Sequence, residues 1–154
     1  MKWSEVLEDK CLEDLPYKIE LNEWGKIVMS PASNSHGMYQ LEIGYQLKSQ
    51  LKSGKAITEC SIQTEKGVKV ADVAWCSEDF IDRHGLETPF TEAPEICVEI
   101  MSPSNHPKEM EEKIALYLNH GAEEVWVVSE EGDVDYYDQQ GKMESSGFDV
   151  KITL

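Results

Sequence analysis

Val68-Lys69-Val70-Ala71-Asp72-Val73-Ala74-Trp75 reads as a β-strand with a carboxylate at its centre, and Pro94-Glu95-Ile96-Cys97-Val98-Glu99-Ile100-Met101 repeats the arrangement. Both stretches are rich in β-branched and apolar residues and bounded by turn signals. A carboxylate set among Val, Ile and Trp loses hydration, which costs several kcal/mol unless a cation or donor stands beside it. Two strands that each accept this cost point to a shared cation, the simplest being a divalent metal between Asp72 and Glu99. Alternation sets Asp72 on one face with Val70, Ala74 and Cys76, and Glu99 with Glu95, Cys97 and Met101. If the strands are neighbours, the two carboxylates converge from one face of the sheet. Oxygen ligands suit magnesium or manganese, which keep waters and bind through one or two carboxylates. The backbone carbonyl of Ile100 is a candidate for the remaining protein ligand.

Upstream, Tyr17 to Leu21 and Lys26 to Met29 form a predicted hairpin turning at Asn22-Glu23-Trp24-Gly25. Met1 to Asp14 is weakly periodic, either a short helix or a loose arm. A helix is expected from about Ser35 to Leu51, with Met38, Leu41, Tyr45 and Leu51 on its apolar side. Ala56 to Thr64 then pairs with the Asp72 strand through Glu65-Lys66-Gly67, and Ser77 to Leu86 is polar, a short helix or a loop. Downstream of Glu99, Ser102-Pro103-Ser104-Asn105-His106 breaks the strand, Pro107 suits a first helical position, and Gly121 stops the helix. Glu124 to Ser129, Val134 to Asp138 and Phe148 to Thr153 are further predicted strands. This order gives an α+β (mixed α/β) fold, a mixed sheet with helices on its faces, in one domain spanning residues 1–154.

The helix after Glu99 adds a cation. Met110, Ile114, Tyr117 and Gly121 mark its inward stripe, and Lys113 falls on the edge of that stripe. A lysine there can reach over the sheet toward the carboxylates and stabilise developing negative charge on a phosphate. The competing reading of Lys113 is a surface lysine whose stem covers the core. His36 and Glu42, on the preceding helix, are accessory candidates. The bland readings are a hydrogen-bonding residue at the helix start for His36 and a solvent-facing acid for Glu42. Ser102 and Ser104 are turn or cap residues, since no Gly-x-Ser-x-Gly elbow is present.

The bulk numbers exclude several classes. No run of 18 apolar residues exists, so nothing is expected to span a membrane. The acidic, discontinuous N-terminus argues against a secretory signal, and a cytoplasmic location is expected. Cys11, Cys60, Cys76 and Cys97 have no CxxC spacing and no nearby His, which argues against structural zinc. The last three read as small buried hydrophobes. The 14 Lys and Arg against 30 Asp and Glu leave a formal charge of −16. Nucleic-acid binding relies on cations that neutralise phosphates, so this balance disfavours tight, unspecific DNA binding by a monomer.

Read together, Met29-Ser30-Pro31-Ala32-Ser33 with His36, Ala71-Asp72-Val73-Ala74, Val98-Glu99-Ile100-Met101-Ser102-Pro103-Ser104, and Lys113 and Tyr117 ahead of Gly121 resemble the Uma2 family. Its members are described as "putative restriction endonucleases" within the PD-(D/E)xK nuclease superfamily. The resemblance runs in order from roughly Tyr17 to Asp138. It implies a restriction-endonuclease-like core, a central mixed β-sheet flanked by helices with an N-terminal β-hairpin. It also implies a Mg²⁺- or Mn²⁺-dependent endonuclease acting on phosphodiester bonds in DNA, with Asp72 as first acidic ligand and Glu99 as second. The superfamily's lysine normally lies two residues beyond the second acid, where this chain has Met101. In the resembled family it is displaced to the following helix, and Lys113 matches that position. His36 matches a common family position, and Ala71 stands where proline is usual, a change in backbone stiffness more than chemistry. Homodimerisation follows by analogy with the superfamily, whose members often pair active sites.

Two other functions remain open on the sequence. A non-catalytic binding or assembly module that kept the nuclease fold is favoured by the charge of −16 and by Met101. A nuclease acting on something other than long duplex DNA is also compatible with the acidity.

Overall fold

Alternating β-branched and small apolar residues make the Asp72 segment the hub of the sheet. In a computed structural model describing residues 1–154, that segment is β4 (Gly67–Cys76), buried along almost its whole length. Before it come α1 (Trp3–Glu8), a 3₁₀ turn (Lys10–Leu12), β1 (Tyr17–Leu21), β2 (Ile27–Pro31), α2 (Asn34–Gln50) and β3 (Lys55–Thr64). After it follow α3 (Glu78–His84), β5 (Ile96–Ile100), α4 (Pro107–Asn119), β6 (Glu124–Val128), β7 (Val134–Asp138) and β8 (Gly141–Met143). Strands β3 to β8 form one six-stranded sheet in sequence order, and β1 with β2 form a separate two-stranded sheet. Neighbours are antiparallel except β5 and β6, which run parallel with α4 as their crossover. The chain therefore has the α+β architecture expected from its sequence, a central mixed sheet flanked by helices with an N-terminal hairpin.

Each face of the sheet carries its own core. On one face Ile43 and Leu47 of α2, with Val150 and Ile152, cover Val73, Trp75, Val98 and Trp126. On the other, Phe80 of α3 and Tyr117 and Leu118 of α4 cover Ala74, Cys97 and Val125. Cys60, Cys76 and Cys97 are buried in this second core. Burial pushes the Cys76 thiol up to about 12 and those of Cys60 and Cys97 well above the ordinary range, so all three are inert hydrophobes.

Three details depart from the sequence expectation. The apolar side of α2 is not Met38, Leu41 and Tyr45, which are 69%, 75% and 66% exposed. The buried side is His36, Ile43 and Leu47, because α2 lies across β3, β4 and β5 with that stripe inward. Phe148 to Thr153 is not a strand of the sheet. Its backbone groups are met instead by glutamine amides of α2: Gln50 exchanges hydrogen bonds with Lys151, and Gln46 with Thr153. Side-chain amides thus complete the ladder that a neighbouring strand would have supplied. Finally, Lys113 sits within the buried stripe of α4 rather than at its edge.

The hairpin β1–β2 is fixed against the sheet by the β3–β4 turn. Gly67 there has φ +90°, and a Cβ on it would collide with the carbonyl oxygens of Leu21 and Asn22 at the hairpin's tip. Both the left-handed backbone and the close approach require glycine. Gly67→Ala is expected to destabilise the protein by about 1–3 kcal/mol, read by urea unfolding. A variant of wild-type stability would mean that the hairpin is not held by this contact.

Candidate active site

Asp72 and Glu99 lie where β4 and β5 begin to part. The antiparallel register pairs Val73 with Val98 and Ala74 with Cys97. One further step sets Asp72 opposite Glu99, with both carboxylates on the α4 face. The ladder stops there, and the Ile100 amide donates to Asp72 Oδ2 at 2.7 Å, fixing the carboxylate's orientation. On the other flank, Glu59 of β3 stands opposite Asp72 with φ +53°, an uncommon conformation for a glutamate. Gln40 of α2 donates to both the Glu59 carboxylate and the Asp72 carbonyl, at 2.6 and 2.8 Å. The backbone of Asp72 is thus held by a helix side chain at a locally distorted point of the sheet, the kind of distortion that gathers at functional sites.

Three further elements bring side chains to these acids. From α4, Lys113 Nζ lies 3.3 Å from Glu99 Oε2 and the Tyr117 hydroxyl donates to Glu99 Oε1 at 2.7 Å. From the N-terminus of α2, His36 Nε2 lies 3.2 Å from Asp72 Oδ1, while Ser33 caps the helix by accepting from the His36 amide. From β1, Lys18 Nζ reaches Asp72 Oδ1 at 2.8 Å and Glu99 Oε2 at 3.0 Å. Glu20, also on β1, pairs with Lys113 at 2.9 Å and accepts from the Val70 amide at 2.8 Å.

Asp72, Glu99, Lys113, His36 and Ile100 are therefore brought together; Glu42 is not. It lies exposed on α2 and accepts from Gln46, one turn along. Lys18 and Glu20 are not among the residues the sequence singles out. Tyr17-Lys18-Ile19-Glu20-Leu21 alternates as a strand with one wet face would, and the only signal against that was two opposite charges on one side. In the fold that side packs over β4, while Leu21 joins a small apolar cluster with Val6 and Val68.

Three carboxylates and two ammonium groups are thus buried together, and they divide unequally. Burial alone would raise Asp72, but the Lys18 ammonium and the His36 ring hold it well below the usual carboxylate range. Glu20 is likewise lowered, its burial being outweighed by Lys113 and Lys18. Glu99 moves the other way: burial raises it, Asp72 and Glu20 add to the rise, and Lys113 and Lys18 offset only part. Lys18 is raised, since Glu99 and Asp72 outweigh its desolvation. His36 is raised mainly by its hydrogen bond to Asp72. Glu99 is the carboxylate in excess.

A pocket of about 20 Å³ opens over these groups, bordered by Ser30, Ala32, Ser102 and Asn105. That is room for about one water or a bare ion. Larger hollows of about 430 Å³ beside Met1 and about 750 Å³ beside the C-terminal segment contain none of these charged groups. Two acidic oxygens aimed at one cationic atom fit a divalent metal. No set of three or more His, Cys, Asp or Glu side chains is arranged as a cage. Magnesium or manganese, which retain waters, need only the two carboxylates.

A family model described as "putative restriction endonuclease", Uma2, matches residues 5–150. Among solved structures, "a putative nuclease belonging to DUF820" from Anabaena variabilis ATCC 29413 shares the fold with a TM-score of 0.70. Its sequence identity is 23%, over 93% of this chain and 83% of that one. No curated protein matches the chain.

Proposed function

The chain belongs to the Uma2 family of "putative restriction endonucleases", and from that membership we propose that it is a metal-dependent nuclease whose active site is the cluster around Asp72 and Glu99. The observation that carries this reading is the convergence of Asp72 Oδ1 and Glu99 Oε2 on a single cation position, at 2.8 and 3.0 Å. Both residues are about 1% exposed, so their joint burial has no purpose in the core that an apolar pair would not serve better.

Asp72 and Glu99 would hold Mg²⁺ or Mn²⁺, with the Ile100 carbonyl as the candidate backbone ligand. When bound, such an ion would supply Lewis acidity to a phosphodiester oxygen and to a water held between the two carboxylates. Ile100 N–H and Gln40 keep Asp72 oriented, and Tyr117 does the same for Glu99. Lys113, held between Glu20 and Glu99, presents positive charge to the phosphate's developing negative charge. His36, shared with Asp72, is an accessory group at the rim. The pocket mouth, lined by Ser30, Ser102 and Asn105, offers hydroxyl and amide groups to phosphate oxygens.

DNA is the substrate class the family suggests. With a formal charge of −16, single-stranded or distorted segments suit the chain better than extended duplex, whose phosphate density is higher. The test is cleavage of supercoiled plasmid and of labelled single- and double-stranded oligonucleotides, with Mg²⁺, Mn²⁺ or chelator. Metal-dependent cleavage abolished by chelator is expected. No cleavage of any substrate would favour the second reading, a binding module on a nuclease fold. That reading has its own support, for the internal charge pairs nearly complete the site without a metal.

A further inference from the structure

Two lysines serve the site, and they stand differently toward it. Lys113 is engaged by Glu20 and touches Glu99 only, at 3.3 Å. Lys18 lies between Asp72 and Glu99 at 2.8 and 3.0 Å, bonded to one oxygen of each. These are the oxygens that the proposed function assigns to the divalent ion, so the Lys18 ammonium and the ion claim one position. With Lys18 in place the pocket leaves about 20 Å³, room for about one water and not for a divalent ion with the waters it retains. The two lysines and the three acids come within one charge of balance. A divalent ion added without displacement would therefore overshoot it, whereas exchange of one ammonium for the ion keeps the excess small.

We propose that Lys18 is a resident counter-ion that occupies the divalent-cation position of the metal-free protein and is displaced into the pocket mouth when the metal binds. This rests on the metal-site reading above and deepens it. The hairpin makes the exchange feasible. β1 belongs to a two-stranded sheet of its own, and the Lys18 side chain is already 11% exposed. A four-carbon stem lets the ammonium swing outward without moving the sheet. The binding-competent form, with Lys18 out, is then a minor population, and apparent metal affinity is reduced by its fraction. Once outside, the ammonium stands beside Ser30 and Ser102, where a substrate phosphate would arrive.

Removing any cation would tighten metal binding somewhat, so the test must separate position from charge. Calorimetric titration of Mn²⁺ is compared in wild type, Lys18→Met and Lys113→Met, each checked for folding by circular dichroism. In parallel, acetic anhydride labelling of Lys18 in the wild type is followed by mass spectrometry with and without Mg²⁺. Lys18→Met is expected to bind Mn²⁺ at least about tenfold more tightly and clearly more tightly than Lys113→Met. Labelling of Lys18 is expected to rise when Mg²⁺ is added. Equal tightening in the two variants, unchanged or weaker binding in Lys18→Met, or a Lys18 that stays protected with metal bound would each overturn the exchange. If Lys18→Met fails to fold, the labelling of the wild type decides alone. Absence of saturable binding in both wild type and Lys18→Met would instead sink the metal site itself, and this proposal with it.

Discussion

Asp72→Asn and Glu99→Gln are expected to abolish metal-dependent cleavage alike, by roughly 10³-fold or more, while moving the stability of the metal-free protein in opposite directions. Asp72 is held ionised by Lys18, His36 and the Ile100 amide. Removing one partner of a buried pair costs about 3–5 kcal/mol. Glu99 remains to receive Lys18, so about 2–3 kcal/mol is expected for Asp72→Asn. Glu99 is the surplus charge, pushed upward by its burial and by Asp72 and Glu20. Glu99→Gln should leave stability unchanged or raise it by about 1 kcal/mol.

The pH dependence follows from the same shifts. Asp72 lies below its ordinary 3.8 in the fold, so its contribution is complete above that value and is lost as pH falls through the folded one. Glu99 lies above its ordinary 4.5; its contribution is complete below 4.5 and is lost as pH rises through the folded value. The advantage of Glu99→Gln over wild type should therefore grow from about pH 4 upward. Thermal unfolding with chelator across pH 4–8, together with Mn²⁺ titration, measures all of this. Equal destabilisation by both substitutions would refute the unequal division of charge. Retained metal binding in either would remove that residue from the site.

What the sequence revealed of this cluster depended on contrast. Asp72 and Glu99 stood out because Val, Ile and Trp surround them, and apolar neighbours leave a carboxylate few innocent explanations. Lys18 and Glu20 had no such contrast: Ile19 and Leu21 between them completed the pattern of a strand with one wet face. Only the packing of the hairpin over β4 turns that face inward, and no local pattern records it. Helix α2 failed for a related reason. Leu41 and Tyr45 are spaced as a helical stripe, and so are Ile43 and Leu47. The choice between them was made by tertiary contacts, including the amides of Gln46 and Gln50 that hold the C-terminal segment. The same amides explain why Phe148 to Thr153, with buried Val150 and Ile152, carries a strand's pattern without joining the sheet. Helix α4 was legible because Pro107 and Gly121 bracket it, yet Lys113 read as an edge residue. Its burial depends on Glu20, a partner 93 residues away.

That distant partner allows the two meanings of Lys113 to be separated. Lys113→Met is expected to destabilise the protein by about 3–5 kcal/mol, since Glu20 is 5% exposed and would keep only the Val70 amide as a direct partner. Adding Glu20→Gln removes the stranded charge, and a favourable coupling of about 1–3 kcal/mol between the two substitutions is expected from urea unfolding. Stability and cleavage should then part company. If Lys113 offers its charge to the phosphate, the double variant regains stability but stays inactive, because Met cannot stabilise a developing negative charge. If Lys113 serves only to neutralise Glu20, cleavage returns with the fold. Recovery of both in the double variant would strip Lys113 of the proposed catalytic role and leave the proposed chemistry to Asp72 and Glu99.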